Sequence, residues 1–153
     1  MRNNKIKYAG FNIALQKVVI DNWRFLAGVC LVLAREYKWG EKRLNRWMDA
    51  AAECCTRFNE YDRDGIYRYQ LDKWEEQHGR IITRERVEQV VFKNTTLSAP
   101  SEIAEIVDNL LLQLLMTVEE FDGAGRERLI AGLEAMGRAD FDAAPELLKD
   151  KYG

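Results

Sequence analysis

The chain has 153 residues, of which 47% are hydrophobic and 31% charged, with two prolines and a net charge of −2. This balance is typical of a folded helical domain and excludes an intrinsically disordered chain. Residues 1–47 contain ten basic and three acidic residues, whereas residues 48–153 contain thirteen basic and twenty-two acidic ones. The two parts therefore favour different partners or attract each other.

Hydrophobicity and cysteine usage argue against membrane and metal-binding classes. The longest uncharged apolar run is ten residues, Phe25 to Ala34, which is too short to span a bilayer. The basic first residues are not followed directly by the apolar core of a secretory signal. Cys30, Cys54 and Cys55 are an odd number without metal-ligand spacing. We expect a cytoplasmic protein with reduced thiols, no metal and no cofactor.

The first two predicted helices belong to the basic part. Apolar residues recur at mostly helical spacing over residues 11–37, which predicts one long apolar helix suited to the centre of a bundle. Gly28 within it indicates a close helix crossing, and Gly40 supplies a left-handed residue that ends it. An i, i+3, i+4, i+7 apolar stripe predicts a second helix over residues 41–61.

Shorter helices are predicted along the rest of the chain. Residues 69–78 form a third helix, and Thr83 is a favourable N-cap for a fourth that ends near Lys93. A linker over residues 94–100 precedes a fifth helix, capped by Ser98 or Ser101 and ending near Phe121. Helices over about 126–136 and 142–151 complete the chain.

The predicted architecture is an all-α bundle of about six or seven helices with a long apolar central helix. Residues 1–79 form its basic N-terminal three-helix part, and residues 80–153 form its acidic C-terminal helical part. We expect these two parts to share one compact domain, since a chain of this length buries enough surface without disulfides or metals.

Five cations surround the predicted turn between the first two helices. We call them the basic corner: Arg35, Lys38, Lys42, Arg43 and Arg46. The last three are neighbours at i, i+3 or i, i+4 spacing and share one exposed sector. Clustered cations on a rigid element suit phosphates or an acidic protein surface. In the alternative interpretation, Asp49 and Glu53 pair with these cations on a solvated face.

The acidic part offers a rival surface. Glu119, Glu120 and Asp122 are grouped at a predicted helix C-terminus, where the helix dipole disfavours carboxylates. These three acids are either functional residues or part of a solvated helix end. An acidic helical surface is able to occupy a basic nucleic-acid channel by imitating phosphate spacing. The apolar side of the fifth helix is either core or the seam of a homodimer.

No catalytic residue is predicted. The only histidine, His78, lies at a helix end, where histidines commonly interact with terminal carbonyls. Residues 62–65 resemble part of a calcium loop, but with Gly65 at position six the twelfth position is Leu71 instead of the required Glu. We interpret this segment as a turn and expect a protein that is not an enzyme.

The corner also carries a resemblance to known proteins. Its pattern is a Tyr, an aromatic-Gly pair, Lys-Arg-Leu and Arg-aromatic, found here at Tyr37, Trp39, Gly40, Lys42, Arg43, Leu44, Arg46 and Trp47. Gly65, Leu71 and Trp74 match its later part. This pattern is similar to small helical accessory proteins of phages and mobile elements of Gram-positive bacteria, and the likeness covers about residues 27–76.

The resemblance implies a genomic setting, because that class has no assigned activity. Accessory phage genes often encode stoichiometric inhibitors of host defence, including anti-CRISPR proteins, or small nucleic-acid-binding regulators. We therefore expect a non-enzymatic accessory protein in the bacterial host cytoplasm that binds a host protein or ribonucleoprotein. Its sharpest form is an anti-CRISPR-like inhibitor of an RNA-guided nuclease. The alternative is a DNA- or RNA-binding regulator that uses Lys42, Arg43 and Arg46.

Overall fold

A computed structural model describes residues 9–61 and 65–152, with side chains described over 18–58 and 65–149. Within these ranges the chain forms seven α-helices and no strand, which confirms the predicted all-α class. The helices are α1 (Ala9–Tyr37), α2 (Glu41–Tyr61), α3 (Ile66–His78), α4 (Arg84–Asn94), α5 (Pro100–Thr117), α6 (Gly123–Ala135) and α7 (Arg138–Tyr152). None of them is both long enough and apolar enough to cross a membrane.

The longest continuous buried stretches lie on α1 and α5. Every residue of α1 from Phe25 to Ala34 is buried, and so is every residue of α5 from Asn109 to Leu115. Helix α1 packs against α7, α6, α5 and α2, while α5 also contacts α3 and α4. Buried residues from both the basic and the acidic part belong to one hydrophobic core.

Two glycines allow neighbouring helices to approach α1 closely. A Cβ on Gly28 would lie 2.4 Å from a ring carbon of Phe141 on α7, which confirms the predicted close crossing. A Cβ on Gly132 of α6 would lie 2.7 Å from a methyl group of Val32. The second crossing is not predicted from the sequence, because Gly132 sits in a short helix without a long apolar run.

Helix boundaries agree best where the apolar stripe is strong. Helix α2 has the predicted bounds, whereas α3 begins three residues before the predicted start. The fourth-helix cap is confirmed, since the Thr83 side chain accepts a hydrogen bond from the Arg86 backbone NH at 3.2 Å. The proposed serine caps of α5 are wrong, because Ala99 occupies the N-cap position without a side-chain hydrogen bond.

The acidic part departs from prediction at the end of α5. That helix stops at Thr117, and a short 3₁₀ turn, Val118–Glu120, follows it. Helix α6 then begins at Gly123, because the Asp122 side chain caps it by accepting from the Gly125 backbone NH at 2.8 Å. Helix α7 begins four residues early, and there the Asp140 side chain accepts from the Gly137 backbone NH at 2.8 Å.

One buried polar cluster joins α1 to the linker after α4 and to α7. Asp21 is 0% exposed and accepts hydrogen bonds from Arg24 and from the Thr95 hydroxyl. The Arg24 guanidinium, 7% exposed, also donates to the Asn94 carbonyl and pairs with Asp142 at 2.6 Å. Removing one partner of such a buried pair costs about 3–5 kcal/mol, so this cluster fixes the linker and α7 against α1.

Candidate binding surface

The corner between α1 and α2 is built by a left-handed lysine. Helix α1 ends at Tyr37, and the next residue, Lys38, has a φ of 55°. The Trp39 backbone NH then donates back to the Leu33 carbonyl at 3.4 Å, and the Gly40 carbonyl accepts from Leu44 as α2 begins. The expectation that Gly40 is the left-handed residue is wrong, because the chain reverses one residue after the helix ends.

Aromatic packing holds this corner against the acidic part of the chain. The Tyr37 ring stacks on Phe121 with centroids 4.4 Å apart and planes at 3°, and its hydroxyl donates to the Gly125 carbonyl. Burial raises the pKa of that hydroxyl. Trp39, 8% exposed, meets the same Phe121 ring edge-on at 6.3 Å. Two aromatics of the resemblance pattern are therefore structural.

Trp47 makes a further contact between the corner and α5. Its indole Nε1 donates to the Thr117 hydroxyl at 2.8 Å, and that hydroxyl donates to the Gln113 carbonyl. Tyr37, Trp39 and Trp47 all contact residues of the acidic part. The corner is therefore fixed against the rest of the fold and is not an isolated turn.

Arg43 differs from the other corner cations because it has partners within the fold. Its guanidinium carbon lies 3.9 Å from the centroid of the Trp39 ring, and its Nη2 lies 2.7 Å from Glu120 Oε2. The prediction grouped Arg43 with Lys42 and Arg46, but only Arg43 pairs with an acidic residue among the described ones. Because the pair is about half exposed, it contributes only about 0.2–1 kcal/mol.

The rival acidic group is joined to the same corner. Glu120 pairs with Arg43, the Asp122 carboxylate caps α6, and Glu119 lies 4.0 Å from His78 Nε2. The prediction of a helix C-terminus is therefore wrong for Asp122, which occupies an N-cap where the helix dipole favours a carboxylate. All three acids are nevertheless exposed, so they remain a candidate anionic surface.

Four cations of the corner remain exposed and have no ion pair or hydrogen bond with any described side chain or backbone group. We call them the exposed cations: Arg35, Lys38, Lys42 and Arg46. The alternative interpretation paired them with Asp49 and Glu53. It is wrong for Glu53, which pairs with Arg57 at 2.7 Å, and Asp49 has no ion pair within the described ranges.

Exposed acids also lie in this region. Glu36 and Glu41 alternate along the chain with the exposed cations, and neither pairs with them in the described part of the chain. With Asp49, three carboxylates accompany the four exposed cations, so the surface has only a small positive excess. A binding surface of this kind attracts an acidic partner, and the interspersed acids limit indiscriminate attraction to any polyanion.

No metal-binding cluster is found among the described residues. No three His, Cys, Asp or Glu side chains in these ranges are grouped closely enough to hold a metal ion. Burial raises the pKa of both Cys30 and Cys55 to about 12, which leaves these thiols protonated and poorly nucleophilic at neutral pH. The predicted calcium-like turn at residues 62–64 lies outside the described residues.

Sequence reasoning overlooked the buried Asp21 and Arg24. Both interrupt an otherwise apolar helix at i, i+3 spacing, and this is the one signal that points to an internal pair. Their partners Thr95 and Asp142 lie more than seventy residues away along the chain, so spacing alone does not identify them.

Comparison with known proteins does not identify a family or a fold relative for this chain. No protein-family model, curated protein or solved structure matches this chain.

Proposed function

We propose that this protein is a non-enzymatic accessory protein of phage type that binds and inhibits a host defence macromolecule. The sharpest form of the proposal is an anti-CRISPR-like inhibitor of an RNA-guided nuclease. One observation carries it: the exposed cations lie on a fixed corner and have no partner among the described residues. Because these side chains have no ion pair or hydrogen bond with a described residue to break, they present positive charge to a partner directly.

The proposed mechanism is occlusion of the target by an electrostatically guided contact. Lys42 and Arg46, one turn apart on α2, would meet phosphates of a guide RNA or acidic side chains of the nuclease. Arg43 would act indirectly by holding the corner against Glu120. The acidic group at Glu119, Glu120 and Asp122 is less suited to lead this contact, because Glu120 and Asp122 have internal roles.

A DNA- or RNA-binding regulator is the second candidate, and the same exposed cations favour it. Direct binding to a nucleic-acid backbone depends strongly on salt, because each phosphate contact releases counterions. An inhibitor that recognises a protein surface has a weaker salt dependence and does not need free nucleic acid.

Two assays separate these proposals. Purified protein is added at near-equal concentration to RNA-guided nucleases of Gram-positive bacteria while DNA cleavage is measured. Binding to DNA and RNA is measured in parallel at low and moderate salt. Blocked cleavage without free nucleic-acid binding supports the inhibitor, and salt-sensitive binding without nuclease inhibition supports the regulator. Failure in both assays contradicts both proposals.

A further inference from the structure

Helix α1 exposes an apolar ridge that no described residue covers. Val19, Ile20 and Trp23 are 63%, 59% and 45% exposed. They are neighbours on one side of the helix, more than three turns before Arg35, the first residue of the basic corner. Isolated exposed apolar side chains are ordinary on protein surfaces, but three adjacent large ones form a patch.

A furrow of small side chains runs beside the ridge. Ala52, Cys55 and Thr56 of α2 face it, and Leu26 forms its floor; together with the ridge they enclose a cavity of about 280 Å³. No charged residue of the described part of the chain lines this cavity. The furrow continues past Trp23 into a second cavity of about 340 Å³ that reaches Met48 and Leu148.

A ridge of large residues next to a furrow of small ones is a self-complementary shape. When two such surfaces meet around a twofold axis, each ridge lies in the opposite furrow, and both copies use the same residues. An unrelated helical partner would fill the furrow, but the ridge would then stay exposed unless the partner offered a second groove.

The charges around the furrow are balanced, which suits pairing of identical surfaces. Among the described residues, the charged ones that line the furrow and the second cavity are Glu146 and Lys149. One is acidic and the other is basic. A surface with a strong excess of one sign would repel its own copy, whereas a mixed surface does not.

The exposed area suits a weak association. With a full area of roughly 150–250 Å² per large side chain, the exposed fractions of the ridge correspond to roughly 300 Å² of apolar surface per copy. Since roughly 60% of a specific interface is apolar, a contact built on two such ridges totals about 1,000 Å². That area lies at the lower limit for specific protein interfaces.

We propose that a second copy of this chain covers the ridge, in a twofold dimer with the ridge of each copy in the furrow of the other. The predicted dimer seam on α5 is replaced by this surface, because Leu110 to Leu115 of α5 lie in the core of a single copy. The dimer would present two basic corners to one target, which strengthens binding by multivalency where the spacing matches.

Sedimentation equilibrium of the full chain over a hundredfold concentration range tests this proposal. We expect a reversible monomer–dimer equilibrium that Ile20→Glu weakens at least tenfold. Ile66→Glu is the matched control, since Ile66 on α3 is 65% exposed and lines neither of the two cavities. Thr56→Tyr, which fills the furrow without adding charge, should also weaken the dimer. Melting curves recorded by circular dichroism verify that each variant is folded.

Three outcomes would overturn the dimer proposal. They are a monomer at every concentration, a dimer that Ile20→Glu and Ile66→Glu affect equally, and a dimer that Thr56→Tyr leaves intact. Loss of dimerisation does not by itself contradict the proposed function, because that function depends on Lys42 and Arg46. Their replacement by alanine is expected to leave the dimer in place while it removes target binding.

Discussion

Charged residues near the start and the end of the described part of α1 differ in whether they have partners within the fold. Asp21 and Arg24 are buried and find partners on the linker and α7, whereas Arg35 and Lys38 are exposed and have no described partner. The same residue types therefore hold the fold together at one end of the helix and remain available at the other. Internal partners, rather than charge itself, distinguish structural cations from candidate binding residues.

The largest loss of stability should come from a substitution in the buried cluster around Asp21 and Arg24. Arg24→Met leaves the Asp21 carboxylate buried beside an apolar side chain, so we expect a loss of about 3–5 kcal/mol in the free energy of unfolding. Urea denaturation measures this loss. Arg35→Met on the same helix is the control and should change stability by less than about 0.5 kcal/mol. Equal losses for the two variants would contradict the distinction.

The next largest loss of stability should come from a substitution in the buried apolar stretch of α1 between these charged residues. Gly28→Ala would place a methyl group against the Phe141 ring, which is fully buried, and overpacking of this kind costs about 1–3 kcal/mol. A smaller side chain at position 141 should relieve the clash. In a double-mutant cycle, Gly28→Ala therefore costs less in a Phe141→Leu background than in the parent, and additive effects would argue against this contact.

A smaller effect of opposite sign is expected at the exposed end. Lys38→Gly removes the strain of a left-handed non-glycine residue and should raise the free energy of unfolding by about 1 kcal/mol. Gly40→Ala is the matched test, since Gly40 has an ordinary φ and free space around its Cα. It should cost no more than about 1 kcal/mol, because Gly40 lies at the N-cap of α2, where alanine is less favourable than glycine. A clearly larger loss from Gly40→Ala together with no gain from Lys38→Gly would contradict the observed turn.

Periodicity predicted most of the helices because it depends on neighbours one turn apart. Helix α2, with its strong apolar stripe, has the predicted bounds. Local signals also identified the Thr83 cap and the close approach at Gly28. The end of α5 was missed because the 3₁₀ turn after it is held by Arg126, whose guanidinium Nε donates to the Val118 and Phe121 carbonyls.

The candidate site was predicted only in part, because partners distant in sequence decide which cations are free. Arg43 and Arg46 look alike in the sequence, yet Arg43 pairs with Glu120 across seventy-seven residues and Arg46 has no ion pair or hydrogen bond with a described residue. Glu53 is a different case, because it looked like a partner of the corner but pairs with Arg57, a local partner one turn further along α2. Spacing places side chains on a helix face, and only tertiary packing determines what lies opposite.

The central claim is that the exposed cations serve binding and not stability. The most direct test combines Lys42→Ala with Arg46→Ala and compares this variant with Lys73→Ala combined with Arg80→Ala, an equal loss of exposed charge on and just after α3. Both variants are assayed for unfolding free energy and for inhibition of RNA-guided cleavage or, where cleavage is unaffected by the parent protein, for nucleic-acid binding. We expect both to keep parental stability within about 0.5 kcal/mol, and only the corner variant to lose at least tenfold in target binding. Parental binding by the corner variant, or an equal loss in both variants, would contradict the claim.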